Sequence, residues 1–254
     1  MMGYRSGARM VHDGSMSLAR AGRPRLHVQR RPGITARDEI LDAAGELFTT
    51  LGYTGTSTRT IADSVGIRQA SLYHYFKTKD DILCDLLSQT VAPTLSFIPS
   101  LLGAQPALSA AEHLHALAAF DGDQLLSGRW NLGALYLLPE LRDARLEPFW
   151  SDRERLRLHY LALSRAVVDQ SGVHEAAADL PFRLVESLVN MWSVPRGPER
   201  SELPVHVADA CLRVLGIPDD AIPAVRERSR GELQRYARAA ADCDEAEADS
   251  AYRR

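Results

Sequence analysis

The 254-residue chain is predicted to be all-α, with a small three-helix unit near its amino end and a larger helical body after it. Three observations predict this. Apolar residues recur every three or four positions along most of the chain. No segment of useful length alternates apolar and polar as a half-buried strand would. Ser or Thr stands three residues before Asp or Glu at several candidate helix starts, the pattern of a capping box. The composition, 45% hydrophobic and 25% charged, is ordinary for a globular protein, and the length suffices to bury a sizeable core.

Residues 1–33 lack periodicity and hold Gly3, Gly7, Gly14, Gly22, Gly33 and several arginines, which predicts a disordered basic arm. Met1, Met2, Met10 and Met16 within it are candidate start methionines. A first domain is expected over 34–80. Thr35 and Asp38 open its first helix, where Ile40, Ala44, Leu47, Phe48 and Leu51 make one apolar stripe up to Gly52. Ser57 caps a second helix that buries Ile61, Ala62 and Val65, and Gly66 is placed to close it in a left-handed conformation. A third helix is expected from near Arg68 to near Tyr75, with Leu72 and Phe76 turned inward. Two short helices joined by a glycine turn and backed by a longer one form a helix-turn-helix.

Thr78 and Asp81 open a long fourth helix through Ile82, Leu83, Leu86 and Leu87, so the larger body is placed at 81–240. Within it Ser109 and Glu112 form another capping box, and Pro139, Pro148, Pro181, Pro204 and Pro218 are expected near helix starts. The Ala-, Asp- and Glu-rich segment 241–254 is expected to fray.

Charge is unevenly spread. Residues 1–87 carry 12 basic and 9 acidic side chains, a surplus of three, whereas the remainder carries 18 and 24, a deficit of six. A basic end on an acidic body points to an anionic partner for that end. The odd set Cys84, Cys211 and Cys243 has no CxxC spacing and suits unpaired thiols. With no apolar block in the first twenty residues and no run of about 20 apolar residues, the expected location is the cytoplasm and no membrane contact is expected. His113 and His115 are two apart on a helix and point to different faces, so no metal site is expected from them. No nucleophile, phosphate-binding or dinucleotide motif is present, so neither enzymatic activity nor a cofactor is expected.

The run Arg37 to Leu83, RDEILDAAGELFTTLGYTGTSTRTIADSVGIRQASLYHYFKTKDDIL, resembles the DNA-binding domain of the tetracycline-repressor (TetR) family of bacterial regulators. The resemblance rests on Ala43-Ala44, Leu47-Phe48, Gly52-Tyr53, Thr56-Ser57, Arg59, Ile61-Ala62, Gly66-Ile67, Leu72-Tyr73, Tyr75-Phe76, Lys79 and Leu83 at the family's spacings. It implies an all-α homodimer with an amino-terminal helix-turn-helix DNA-binding domain and a larger helical ligand-binding and dimerisation domain.

In such a domain the amino end of the third helix meets base edges. Gln69 can read adenine through a paired amide contact, Ser71 can bond several bases, and Ala70 permits close approach. The resemblance places Tyr73, His74 and Tyr75 along the DNA-facing side, and Ser57, Thr58, Arg59 and Lys79 at phosphates. The other reading of Tyr73 is a core ring with its hydroxyl at the rim. Arg68 stands where the family usually has a capping serine. That departure costs about 1 kcal/mol and assigns Arg68 to a phosphate or a guanine.

The expected function is therefore a ligand-responsive transcriptional regulator, a repressor that leaves a palindromic double-stranded operator on binding a small, largely apolar effector. The alternatives are an activator, a ligand-independent regulator, and a helical small-molecule carrier for which DNA binding is secondary. On the helix after Pro148, Phe149, Arg153, Leu156, Tyr160, Leu163 and Val167 share an inward face on which Arg153 is the misfit. It either pairs with a neighbouring helix or reads an acidic group of an effector lined by Phe149 and Tyr160, with Trp130, Tyr136 and Trp192 as further candidates. The expected dimer seam is the pair of late helices bearing Phe182, Val185, Leu188 and Val189, and Ala208, Cys211, Leu212 and Leu215, stripes that equally fit intramolecular core.

Overall fold

In the computed structural model the described residues are 31–252, apart from 34, 105, 139–145 and 194–195; nothing is described of the side chains of 137 and 243–252. The expected arm before residue 31, Pro139 and the Cys243 thiol lie outside the described residues. What is described is helical, with no strand: α1 Ala36–Thr50, α2 Thr58–Val65, α3 Gln69–Tyr75, α4 Lys79–Ser88, α5 Ala92–Leu102, α6 Ala110–Ser127, α7 Glu147–Ser171, α8 Leu180–Glu186, α9 Pro198–Val214 and α10 Ile222–Tyr252. Short 3-10 segments, among them Leu132–Leu137 and Ser187–Met191, join some of them.

The local signals act as the sequence implies. Thr35, Thr78 and Ser109 each accept a backbone N–H three residues on, and Asp38, Asp81 and Glu112 return the bond, so reciprocal capping boxes start α1, α4 and α6. Gly66 ends α2 at φ 81°, ψ 30°, and its N–H and that of Ile67 both reach the Ala62 carbonyl. Ile61, Ala62, Val65, Leu72 and Phe76 then join Ile40, Ala44 and Phe48 of α1 in one core.

Five expectations need correction. Arg31 does not belong to a disordered arm. Its guanidinium is tied to Asp42 at 2.9 Å, to Glu46 and to the Ser64 hydroxyl, which fixes the chain to α1 and α2 just before the first cap. The fourth helix is not long: it stops at Ser88, and Thr90 turns its hydroxyl onto the Leu87 carbonyl before α5 begins. The stretch Lys79–Leu102 is apolar and long enough by composition to cross a membrane, but this break divides it and half of it is buried inside the protein. Pro204 lies inside α9 rather than at its start. The 241–252 backbone continues α10, in keeping with its alanines and glutamates, which are strong helix formers. The expected domain boundary between 80 and 81 falls within α4, which packs on both α1 and α7.

The body is organised around α6, which touches α5, α7, α8, α9 and α10. Phe182, Val185 and Leu188 of the α8 region, and Ala208, Cys211, Leu212 and Leu215 of α9, are 0–3% exposed within one chain. A side chain with no free surface has none to offer a second copy, so these seven are intramolecular core; Val189 is half-buried. Two buried polar clusters pin α6 in place. The His115 imidazole lies 3.1 Å from Asp209 of α9 and 2.7 Å from the Ser229 hydroxyl of α10, with burial the main cause of its lowered pKa. The His113 ring instead meets the Leu101 carbonyl at 3.1 Å, so the two histidines do point apart. Asp121, fully enclosed, accepts hydroxyl bonds from Thr94 of α5 at 2.8 Å and Tyr160 of α7 at 2.9 Å.

Burial pushes the Asp121 carboxyl up to about 6 from an ordinary 3.8. A raised carboxyl pKa costs stability above the folded value, and the cost fades as pH falls toward the unfolded one. The difference corresponds to about 3 kcal/mol. Asp121→Asn should therefore gain stability relative to the parent as pH rises from 4 to 7, by up to that amount, in paired denaturant titrations. A gap independent of pH would show that Asp121 keeps an ordinary pKa.

Candidate nucleic-acid interface and effector region

The third helix buries Leu72 completely and turns its opposite side to solvent. Gln69, Ala70, Tyr73, His74 and Tyr75 are exposed and Ser71 is half-buried. Tyr73 is 41% and Tyr75 48% exposed, which places Tyr73 on the open face and removes its core reading. Across the glycine turn, the Gln69 side-chain nitrogen donates to the Thr58 hydroxyl at 2.9 Å and lies 3.4 Å from the Tyr73 hydroxyl, itself 3.1 Å from that of Thr58. Ser57 spends its hydroxyl on the Thr60 N–H as the cap of α2. Arg59 extends into solvent at 80% exposure, with only a long 3.9 Å approach to Asp63. Arg68 starts α3 without a side-chain cap bond, as its departure from serine implies.

Lys79 is placed differently from the expectation. Its ammonium donates to the Tyr53 and Thr56 carbonyls, each at 2.8 Å, and lies 3.9 Å from the centre of the Tyr53 ring. The Tyr53 hydroxyl in turn bonds Asp80. Lys79 thus braces the loop that delivers Ser57 and Thr58. Tyr53 enters the sequence reading only as part of the motif, and nothing in its spacing marks it as the strut under Lys79.

One carboxylate of α1 gathers donors from both the chain before it and the 129–130 segment of the body. Asp42 accepts from Arg31, from Arg129 at 3.0 Å to each oxygen, and from the Trp130 indole N–H at 3.0 Å. Trp130 fits because α1 has Gly45 there: a Cβ would come within 2.9 Å of the indole. A cleft of about 300 Å³ opens beside this contact, lined by Leu41, Leu86, Gln89, Trp130 and Leu132 among others.

Of the expected effector residues, four come together and two do not. Tyr136 and Phe149 are in ring contact at 5.5 Å, Arg153 lies 5.9 Å from the Tyr136 ring and 5.1 Å from Phe182, and Tyr160 meets Phe182 in a tilted contact at 5.5 Å. Burial raises the pKa of both tyrosines, so both hydroxyls stay protonated. The Arg153 charge is met by Glu186, whose carboxylate accepts its Nε at 2.8 Å and a second guanidinium nitrogen. That is the ion-pair reading of the misfit. Trp130 belongs to the contact with α1, and Trp192 lies 4.0 Å from the guanidinium of buried Arg200, so neither joins the cluster. Arg200, with Arg196 and Ser201, lines a separate cleft of about 200 Å³.

Residues 40–86 match the profile of the tetR family of bacterial regulatory proteins. The crystal structure of Mycobacterium smegmatis AmtR is 52% identical, covers 82% of this chain and 98% of its own, and superposes with a TM-score of 0.74. The transcriptional repressor KstR2 of Mycolicibacterium smegmatis is 29% identical over 181 residues, 65% of this chain and 83% of that protein. The fatty acid metabolism regulator protein of Bacillus subtilis is 28% identical over 161 residues, 63% and 79% of the respective chains.

The geometry separates two cations that the sequence treats alike. Arg59→Ala should weaken binding to all DNA sequences equally and lessen the slope of log K against log salt by about 0.9, the effect of one phosphate contact. Lys79→Ala should lower the melting temperature and change the slope less. Equal slope changes in the two variants would place Lys79 at a phosphate and refute its role as a brace.

Proposed function

The chain belongs to the tetR family of bacterial regulatory proteins and is a DNA-binding transcriptional regulator, and from that premise we propose a cytoplasmic homodimeric repressor that holds a palindromic operator with two copies of α3 and leaves it when an effector engages the helical body. The observation that carries the reading is the division of labour on α3: Leu72 is sealed in the core while Gln69, Ala70, Tyr73 and His74 face outward beside exposed Arg59 and Arg68. A helix held from behind with base-reading residues in front suits the major groove. The repressor named among its relatives supports the direction of regulation.

The homodimer is supported by the same late helices, through a different face. Leu203, Val207, Ala210 and Val214 are half-buried at helical spacing on α9, about 100° round from the core stripe. Leu180, at the start of adjoining α8, is 45% exposed, and Met191, at the end of the 3-10 segment after it, 38%. An apolar face of two packed helices suits an isologous contact with a second copy. Arg153 offers less to an acidic effector, since Glu186 already fills that role.

Sedimentation and gel shifts test the proposal together. The parent should sediment as a dimer at micromolar concentration and bind a two-fold site with half-sites about 34–36 Å apart. Val207→Asp should give a folded monomer by circular dichroism that loses most of its operator affinity. A parent that sediments as a monomer yet binds an asymmetric site would overturn it.

A further inference from the structure

We propose that Thr58 and Tyr73 are positioning residues that hold the Gln69 amide by its nitrogen, so that the chain reads one base in each half-site through the Gln69 side-chain oxygen and selects adenine or cytosine there. The inference rests on the reading above, that α3 faces the operator.

The three groups come from both sides of the glycine turn. Thr58 is the first residue of α2, Gln69 the first of α3, and Tyr73 stands one turn further along the same face of α3. The Gln69 nitrogen lies 2.9 Å from the Thr58 oxygen and 3.4 Å from that of Tyr73. The two hydroxyls are 3.1 Å apart, so one donates to the other and both keep lone pairs for the amide. The amide has two N–H donors, and this arrangement offers an acceptor to each. Its remaining polar edge is the oxygen, a pure acceptor.

An acceptor discriminates bases differently from a free amide. An unrestrained glutamine reads adenine with both edges, N–H to N7 and oxygen to the N6 amino group. When the nitrogen is engaged within the protein, the N7 contact is lost and only the exocyclic amino group is read. Adenine and cytosine both present such a donor in the major groove, whereas guanine and thymine present oxygen acceptors. Preference at this position therefore follows amino against keto rather than purine against pyrimidine. Fixing an exposed, rotamer-rich side chain before DNA arrives also lowers the entropy lost on binding.

The test is selection of bound fragments from a random double-stranded DNA library by the full chain, with sequencing, for the parent and for Gln69→Leu, Thr58→Val, Tyr73→Phe, the Thr58→Val/Tyr73→Phe double variant and Thr58→Ser. Melting temperatures confirm that the variants are folded, as befits a partly exposed cluster. The parent should enrich sites with adenine or cytosine over guanine or thymine at one position per half-site. Gln69→Leu should abolish that preference alone, and the double variant should reduce it about tenfold or more, leaving the other positions and the salt slope unchanged. Thr58→Ser, which keeps the hydroxyl, should retain it. The proposal is overturned if the double variant keeps the preference, if the Gln69-dependent position favours guanine or thymine, or if the loss spreads evenly over the site. A parent that enriches no sequence overturns the operator-binding reading itself, a result distinct from all three.

Discussion

A helix of seven residues has two turns and no stability of its own, so everything that faces DNA depends on the burial of Leu72 and Phe76 behind it. Each such side chain contributes roughly 2 kcal/mol when taken out of water. Together they fasten α3 to Ile61, Ala62 and Val65 of α2 and to Phe48 of α1. The left-handed Gly66 lets the chain reverse within one residue and still satisfy the end of α2, so the angle between α2 and α3 is set by packing and hydrogen bonds at once. Because the core holds α3 entirely from one side, its other side is released from any packing duty and can carry Gln69, Ala70, Tyr73 and His74. Lys79 serves the same end from below by holding the 53–56 loop through two carbonyls.

The same economy governs the contact between α1 and the body. A carboxylate as enclosed as that of Asp42 is costly unless its lone pairs are met, and here Arg31 on one side and the neighbours Arg129 and Trp130 on the other meet them from two distant parts of the chain. Sliding α1 against residues 129–130 would strip donors from that carboxylate and drive the indole past the position that only Gly45 leaves open. The contact therefore resists small displacements of α1 against residues 129–130.

How much of this is legible in the sequence depends on how local the signal is. Capping boxes at Thr35, Thr78 and Ser109, the cap at Ser57 and the left-handed Gly66 are one-turn patterns, and the structure has each where the residues imply it. The late helices illustrate the limit. Periodicity locates an apolar stripe through Ala208, Cys211 and Leu215, but a stripe that faces the chain's own core and one that faces a second copy have the same period. The neighbouring stripe through Leu203, Val207 and Val214 is the half-exposed one. Partnerships distant in sequence are not legible at all: Arg31 reaching Ser64, Asp42 reaching Arg129, and Lys79 turning back to Tyr53 follow from tertiary packing alone. Trp130 and Trp192 look like pocket aromatics by type, yet one donates to Asp42 and the other lies over Arg200.

Charge inside the body is balanced within the chain. Arg153 and Glu186 neutralise each other among the rings of Tyr136, Trp150 and Phe182, with 17% and 18% of their side-chain surfaces exposed. Asp121 lies deeper, and the nearby Glu186 is one of the influences that raise its pKa. Glu186 also accepts from Arg183 at 3.1 Å through its other oxygen, so its carboxylate is shared by two guanidinium groups. Phe149, Tyr160 and Phe182 are 0–3% exposed, and the Tyr136 and Tyr160 hydroxyls are already bonded to Thr90 and Asp121. Arg153 is thus answered within the chain, by a carboxylate that a second arginine also holds, among rings that leave one another little free surface.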